Sequence, residues 1–412
     1  MQRNGVRAAA IVAGALVFLV LAGAIVYRVL APAEVVTEAR VAYPAPVPRS
    51  TGVIGTLSAA PLIVDGRLRV YATTRQVRAE EPADAETRRT PYWSYRRWPA
   101  QLNGLLAVDR TVVSRWSDGR LVALDATTGR VAWRADGPRP NAGYDGRLTG
   151  ASTMYAPDGL LRADTSGGRT VLIVASAADL RGLDLRTGRE LWRVAVGNSC
   201  RSTAFTTTAG LLVAVDTCAT PRTVEFRDAD TGTPVARWRP TEPMTEVAPV
   251  GCASGRSACA AMRTTGGGSA RGWLLDGARP EPARTLDRPS AWLVGDVAVT
   301  GAGDGVTARS ARTGKELWHR GGGGYVRVLA VQYDRVHLLT DSQELITLAA
   351  ATGTELSRFV LEYGREGTGW SPGWAYAADG YVAVERLTRP VRPDSTDREY
   401  YITGQPVIFA GT

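Results

Sequence analysis

The sequence predicts an all-β protein, a seven-bladed or alternatively eight-bladed β-propeller behind one N-terminal transmembrane helix. Three observations lead there: a phrase ending in Thr-Gly and an aromatic that recurs along the chain, a spacing between copies of about forty residues, and one long apolar stretch near the amino terminus. Self-similarity at that period, with several short strands per unit, is what blades arranged about an axis look like in sequence. A helical solenoid of similar period would show 3.6-residue spacing, which the chain lacks.

The first element is a cytoplasmic tail over residues 1–7, followed by a transmembrane helix over 8–30. The stretch from Ala8 is apolar until Arg28, and spanning a bilayer takes about 20 residues. Arg3 and Arg7 precede it, so the positive-inside bias places the tail in the cytoplasm and the rest of the chain outside. A cleaved signal peptide ending near Ala31-Pro-Ala33 is the alternative, but secretory apolar cores run to roughly 7–15 residues, shorter than this one. Residues 31–50 carry Pro32, Pro44, Pro46 and Pro48 and read as a stiff spacer.

Residues 51–412 read as the propeller. The phrase runs from Leu121 to Gly129 and Trp133, from Leu180 to Gly188 and Trp192, from Val224 to Gly232 and Trp238, from Val306 to Gly314 and Trp318, and from Leu345 to Gly353 and Phe359. Each is a β-hairpin: the residues before the turn alternate, and the glycine supplies a positive φ. Asp125, Asp184 and Asp228 sit where a carboxylate can accept turn N–H groups. The Trp begins the next strand and offers an apolar plate to the adjacent blade; in the third copy it stands six residues after the glycine, which preserves its face. The glycines are separated by 59, 44, 82 and 39 residues. The step of 82 hides a degenerate copy, Gly272 to Gly277, and the step of 59 contains an insertion between Gly137 and Gly168. The last blade combines Gly380 to Arg386 and Tyr400 to Phe409 with an N-terminal strand, closing the ring and hiding its edges.

Cysteine usage suits an oxidising location. Cys200 and Cys218 flank one hairpin-like segment, and Cys252 and Cys259 bracket a tight turn. This local pairing is one of three connectivities that four cysteines allow. No pair has zinc-site spacing, and only His319 and His337 could help. The net charge of +9 is almost wholly arginine, which reflects composition or an attraction to anionic lipid or wall polymers. No nucleic-acid motif accompanies it.

The phrase Leu-Asp-x-x-Thr-Gly-x-x-x-Trp resembles the repeat of quinoprotein-type propellers, the group named after pyrroloquinoline quinone. It is clearest in the copies ending at Trp133, Trp192 and Trp318, and the likeness covers about residues 110 to 360. The resemblance implies PQQ-like repeats, and most closely the membrane-anchored, non-enzymatic kind of high-GC Gram-positive bacteria. Dehydrogenases of the group hold their quinone between a Trp and an adjacent-cysteine disulfide, with calcium on acidic and Asn ligands. No adjacent cysteines exist here and Asn is scarce, so the chain is expected to be no enzyme and to take no cofactor or metal.

Other chemistry finds few residues. His319 follows Trp318 and should face solvent, His337 lies in a strand core, and Gly321 to Gly324 lacks the Lys-Ser/Thr of a phosphate loop. Binding remains. Arg88, Arg89, Trp93, Tyr95, Arg96 and Trp98 form an aromatic and arginine cluster of the kind found at hot spots. The plainer reading is that Trp93, Tyr95 and Trp98 face a blade core. Trp370 and Trp374 lie in a second segment of loop composition. The expected function is a non-catalytic scaffold binding an envelope protein or a wall polymer, with a quinone-dependent dehydrogenase or a small-ligand or glycan sensor as alternatives.

Overall fold

A computed structural model of the 412-residue chain describes residues 33–47, 50–85, 90–140, 148–177, 179–195, 201–302, 305–321, 324–363, 369–390, 401–402 and 404–412, with Phe18, Val20, Ala22 and Gly23. The stretch assigned above to a transmembrane helix lies outside these residues except for Phe18, Val20, Ala22 and Gly23, which are helical. Among the described residues no helix is long and apolar enough to cross a membrane.

Short apolar, β-branched runs such as Val-Leu-Ile-Val at 171–174, buried on both faces, fold into eight antiparallel sheets. Blade 1 holds β3 (Leu62–Val64), β4 (Leu68–Thr73), β5 (Gln76–Glu80) and β6 (Trp93–Trp98), with β1 (Ala33–Thr37) outside β6. Blade 2 holds β7 (Leu102–Val108), β8 (Thr111–Trp116), β9 (Arg120–Asp125) and β10 (Val131–Asp136). After a short helix, α1 (Ala151–Tyr155), blade 3 holds β11 (Leu160–Asp164), β12 (Thr170–Ala175), β13 (Asp179–Asp184) and β14 (Glu190–Ala195). Blade 4 holds β15 (Arg201–Thr206), β16 (Leu211–Asp216), β17 (Thr223–Asp228) and β18 (Pro234–Trp238). Blade 5 holds β19 (Glu246–Ser254), β20 (Ser257–Gly266), β21 (Ser269–Leu274) and β22 (Glu281–Pro282), then a 3-10 turn, η1 (Arg284–Leu286). Blade 6 holds β23 (Ala291–Val294), β24 (Val297–Ala302), β25 (Gly305–Ser310) and β26 (Glu316–Gly321). Blade 7 holds β27 (Val326–Gln332), β28 (Arg335–Thr340), β29 (Glu344–Ala349) and β30 (Glu355–Val360).

Blade 8 closes the ring. Its inner strands β31 (Ser371–Ala378), β32 (Tyr381–Leu387) and β33 (Val407–Gly411) come from the end of the chain, and β2 (Gly52–Leu57) pairs outside β33. The termini thus share one sheet, as the sequence led us to expect, and the number of blades is eight. The blade not counted in the seven is blade 1, which lacks a Thr-Gly turn. First strands of neighbouring blades touch around the axis, β3 on β7, β7 on β11, and onward to β27 on β31.

The repeated phrase owes its residues to the blade junctions. Indole Nε1 of Trp93 donates to the Ala126 carbonyl, that of Trp133 to Leu185, that of Trp192 to Ala229 and that of Trp318 to Ala350, at 2.7–2.8 Å. Each carbonyl lies three residues before the Thr-Gly glycine of the next blade. A Cβ on Gly232 would lie 2.6 Å from the Trp192 ring, so that position needs glycine for space and for its φ of 71°. Within its own blade each Trp stands opposite a small residue: Trp93 opposite Ala79, Trp133 opposite Ala123, Trp192 opposite Gly182 and Trp318 opposite Ala308. Burying such a side chain is worth about 5 kcal/mol at most, against about 1 kcal/mol for its hydrogen bond, so packing dominates the junction. Below the plates, Asp125, Asp184 and Asp228 each accept from the backbone N–H and the hydroxyl of the turn Thr.

Of the six junctions that lead into a turn glycine, two depart from this rule. Trp238 does not dock on the Gly277 turn: it pairs with Val224, one cross-strand step beyond the usual slot, and packs edge-on against Trp273. Ala236 takes the slot because Phe226 opposite already fills the space. Blade 5 has only two residues in β22 and no Trp to cover Gly314, which has nothing near its Cβ position. There η1 fills the junction, and the Thr285 hydroxyl reaches the Ala311 carbonyl, the equivalent acceptor, at 3.5 Å.

The proline-containing segment is no free spacer over residues 33–47. Ala33 pairs with Trp98 and Thr37 with Ser94; Ala39 then bonds the Thr128 carbonyl, and Tyr43 lies between Tyr92, Arg67 and Arg110. The β-branched run Val35-Val36-Thr37 is a strand former that the prolines on either side obscure.

Candidate functional site

Antiparallel meanders put the Thr-Gly turns and the turns after each first strand on one side of the ring, the turn face. Connections between blades lie on the other, the funnel face. The insertion between blades 2 and 3 reaches inward from the funnel face. Buried Arg115 holds its ends by donating to the carbonyls of Pro138, Asp158 and Gly159. Burial lowers this guanidinium to about 10, partly offset by Asp158 and Asp179, so it stays charged at neutral pH. From there α1 delivers Tyr155, whose hydroxyl donates to the Pro61 carbonyl at 2.8 Å.

From blade 5 the long hairpin β19–β20 bends the other way. Its tip carries the Cys252–Cys259 disulfide, a cross-strand pair. Thr206 N–H donates to the Arg256 carbonyl, Arg162 N–H to the Ser257 hydroxyl, and Ala258 N–H to the Thr206 hydroxyl. Gly255 abuts the Tyr155 carbonyl. The tip, lying on the blade 3 and 4 side, and α1, lying against blades 8, 1 and 2, therefore meet inside the ring and fill that part of its centre. Cys218 is also disulfide-bonded, while Cys200 lies outside the described residues.

On the side of blades 5 to 8 the centre stays open toward the funnel face. A cavity of about 550 Å³ lies between β23, β27, β31 and β32, and a second of about 320 Å³ lies beside the Cys252 hairpin; Trp292 lines both. Trp292 is 38% exposed, Arg327 is exposed and Trp374 half-buried. Glu385 is buried at the floor, accepting from Trp374 N–H at 3.0 Å and bonded to the Thr149 hydroxyl of the insertion. A concave wall with two indoles, a guanidinium and a buried carboxylate can hold a side chain or a sugar ring.

The residues singled out in the sequence separate here. Arg88 and Arg89 lie outside the described residues. Trp93 and Tyr95 are fully buried, Trp93 as the plate over Gly129, so neither is available to a partner. Arg96 is exposed, and Trp98 is half-buried with the Arg75 guanidinium 4.0 Å from its ring centre. Trp370 is half-buried against the core of blades 7 and 8, and Trp374 alone of the set lines the funnel. Trp292 and Arg327 were missed; the signal was their place at the start of a first strand, legible only once blades 6 and 7 are aligned.

Neither histidine lines this site. His319 is exposed, its Nδ1 3.1 Å from the Thr307 hydroxyl. His337 is buried between Gln332 and Thr347, and burial, helped by the Arg335 charge, lowers it to about 3. A quinone does not fit the residues present: the described disulfide joins residues seven apart, and the hairpin that carries it fills part of the centre.

The fold and its junctions define a class, propellers built from PQQ-like repeats in which an indole docks on the next blade's Thr-Gly turn. The family model described as outer membrane protein assembly factor BamB matches residues 3–134 and 66–260, more than half of the chain, and the chain belongs to that family. Similar solved structures include the computationally designed Ika8 protein, with 14% identity, a TM-score of 0.50, and 87% of this chain and 99% of that one covered. BamB from Moraxella catarrhalis has 15% identity, a TM-score of 0.45, and coverage of 89% and 98%. Dihydro-heme d1 dehydrogenase NirN has 16% identity, a TM-score of 0.43, and coverage of 74% and 66%. No curated protein matches the chain.

Proposed function

We propose that the protein is a membrane-anchored, extracytoplasmic scaffold that holds another envelope protein, without catalysing a reaction, and that the partner docks in the funnel. The carrying observation is the funnel wall: Trp292 and Arg327 present exposed surface beside half-buried Trp374, the residue types that supply most of the binding energy at protein interfaces. Membership in a family described as an assembly factor supports a protein partner over a reaction. The apolar stretch at residues 8–30 would anchor the propeller on the outer side of the cell membrane.

Affinity purification from solubilised membranes tests this. One protein recovered in fixed proportion with the wild type, and lost with both Trp292→Ala and Arg327→Ala, is the expected result. Turnover of alcohols or sugars by the purified chain given quinone and calcium would contradict it. The volume of about 550 Å³ also suits a small ligand or glycan, and that second reading expects a metabolite in the native mass spectrum instead.

A further inference from the structure

The N-terminal strand fixes which side of the ring meets the chain's apolar stretch. Strand β1 is antiparallel to β6, and β6 rises from the turn face to end at Trp98 on the funnel face. Ala33, paired with Trp98, therefore lies at the funnel face at the outer edge of blade 1. Only residues 31 and 32 separate Ala33 from the apolar stretch at 8–30. From Ala33 the chain runs down blade 1, passes the turn face through Tyr43, and rises again as β2 in blade 8. A tether so short cannot carry the ring around; it holds the funnel face toward whatever takes the apolar stretch.

That face offers such a neighbour unpaired cations and exposed rings. Arg96, Arg139, Arg239 and Arg288 are exposed around it, with no carboxylate in ion-pair range among the described residues. Tyr325, 56% exposed, and Tyr363, 41% exposed, stand in the connections before and after blade 7. Arginine with tyrosine is the pairing that suits a headgroup layer, where the guanidinium meets phosphate and the amphipathic ring sits at the boundary. Both faces mix charges: exposed Asp136, Glu242, Glu246, Asp341 and Glu362 stand among the funnel-face arginines, and the turn face carries exposed Asp65 and Asp109 with Arg186, Arg189 and Lys315. The faces differ in their rings, since among the described residues the turn face has one strongly exposed ring, Tyr333, at 80%, bonded to Asp379.

We infer that the rim of the funnel face, through Arg96, Arg139, Arg239, Arg288, Tyr325 and Tyr363, rests on an anionic lipid surface. The inference rests on the anchored reading above. The concave centre stays clear of a flat bilayer, so the partner in the funnel must be one reached from the membrane side.

The test uses the full chain in vesicles of phosphatidylcholine with or without phosphatidylglycerol, spin-labelled through Tyr325→Cys or, on the turn face, Tyr333→Cys. Collision with a water-soluble nickel reagent is the readout. The expected result is a label at 325 shielded several-fold relative to one at 333 in anionic vesicles. That shielding is reduced in pure phosphatidylcholine and in the combined Arg96→Gln, Arg139→Gln, Arg239→Gln and Arg288→Gln chain. Equal collision rates at the two sites, in protein that alkaline carbonate leaves on the vesicles, overturn this inference and leave the anchor standing. Removal by carbonate overturns the anchor and the inference with it. Shielding seen in native membranes but not in either vesicle assigns the rim to a protein and overturns the lipid assignment.

Discussion

Tyr155 and Tyr376 lie ring on ring, centroids 4.5 Å apart and planes inclined by 9°. One comes from the insertion between blades 2 and 3, the other from the first strand of blade 8, so the stack spans the centre and ties the late part of the chain to the early part. With Gly255 against the Tyr155 carbonyl, blade 5 joins the same contact.

Removing the ring should cost more than removing its hydroxyl. Tyr155→Ala is expected to lower stability by about 3–5 kcal/mol through lost burial and a cavity. Tyr155→Phe should lose about 1 kcal/mol, the bond to the Pro61 carbonyl. Urea unfolding of the three proteins measures both, and equal losses would show that the stack contributes nothing.

The docking plates predict an asymmetry between two turns of the same backbone conformation. Gly232 has φ 71° with the Trp192 ring over its Cβ position, whereas Gly314 has φ 73° and open space. Gly314→Ala should cost about 1–2 kcal/mol, the left-handed penalty alone. Gly232→Ala adds the displacement of an indole and should cost at least twice as much, read from thermal unfolding. The reverse order would contradict the junction described here.

These junctions also show what was legible in the sequence. Thr-Gly and Trp could be read because each answers a strict demand: a positive φ, a large plate, a small residue opposite. Blade 1 was hidden because Trp93 follows a connection without a Thr-Gly turn, so the same plate read as a binding residue. Trp238 misled because face is preserved at a spacing of six while reach along the strand is not, and the bulk of Phe226 decides the slot. The funnel was invisible because its wall comes from four strands of three blades far apart in the chain, with no local pattern linking Trp292, Arg327 and Trp374.

Acid should weaken the fold through His337. Its imidazole is held neutral, lowered from 6.5 to about 3 by burial and then by Arg335, while the unfolded chain protonates near 6.5. Between those values the unfolded state binds the extra proton, so stability falls as pH drops, by up to about 1.4 kcal/mol per unit within the window. Unfolding followed from pH 7 to pH 4 should show this slope, and His337→Gln, which can keep bonds to Gln332 and Thr347, should flatten it. An unchanged slope in the variant would rule His337 out as the source.

Opening the Cys252–Cys259 bridge should loosen the hairpin tip. The short loop it closes implies a loss of about 2–3 kcal/mol for the paired Cys252→Ser and Cys259→Ser chain. Trypsin should then cut after Arg256, whose carbonyl is otherwise held by Thr206 N–H. Resistance equal to the wild type would mean that the tip is held by its hydrogen bonds alone.

The most direct measurement of the scaffold account is photo-crosslinking in living cells from a residue placed at position 292 in the funnel, with position 333 on the turn face as control. The account predicts one adduct of defined mass from 292, absent from 333 and abolished by Arg327→Glu. No adduct from 292, or the same adducts from both positions, would contradict a partner seated in the funnel.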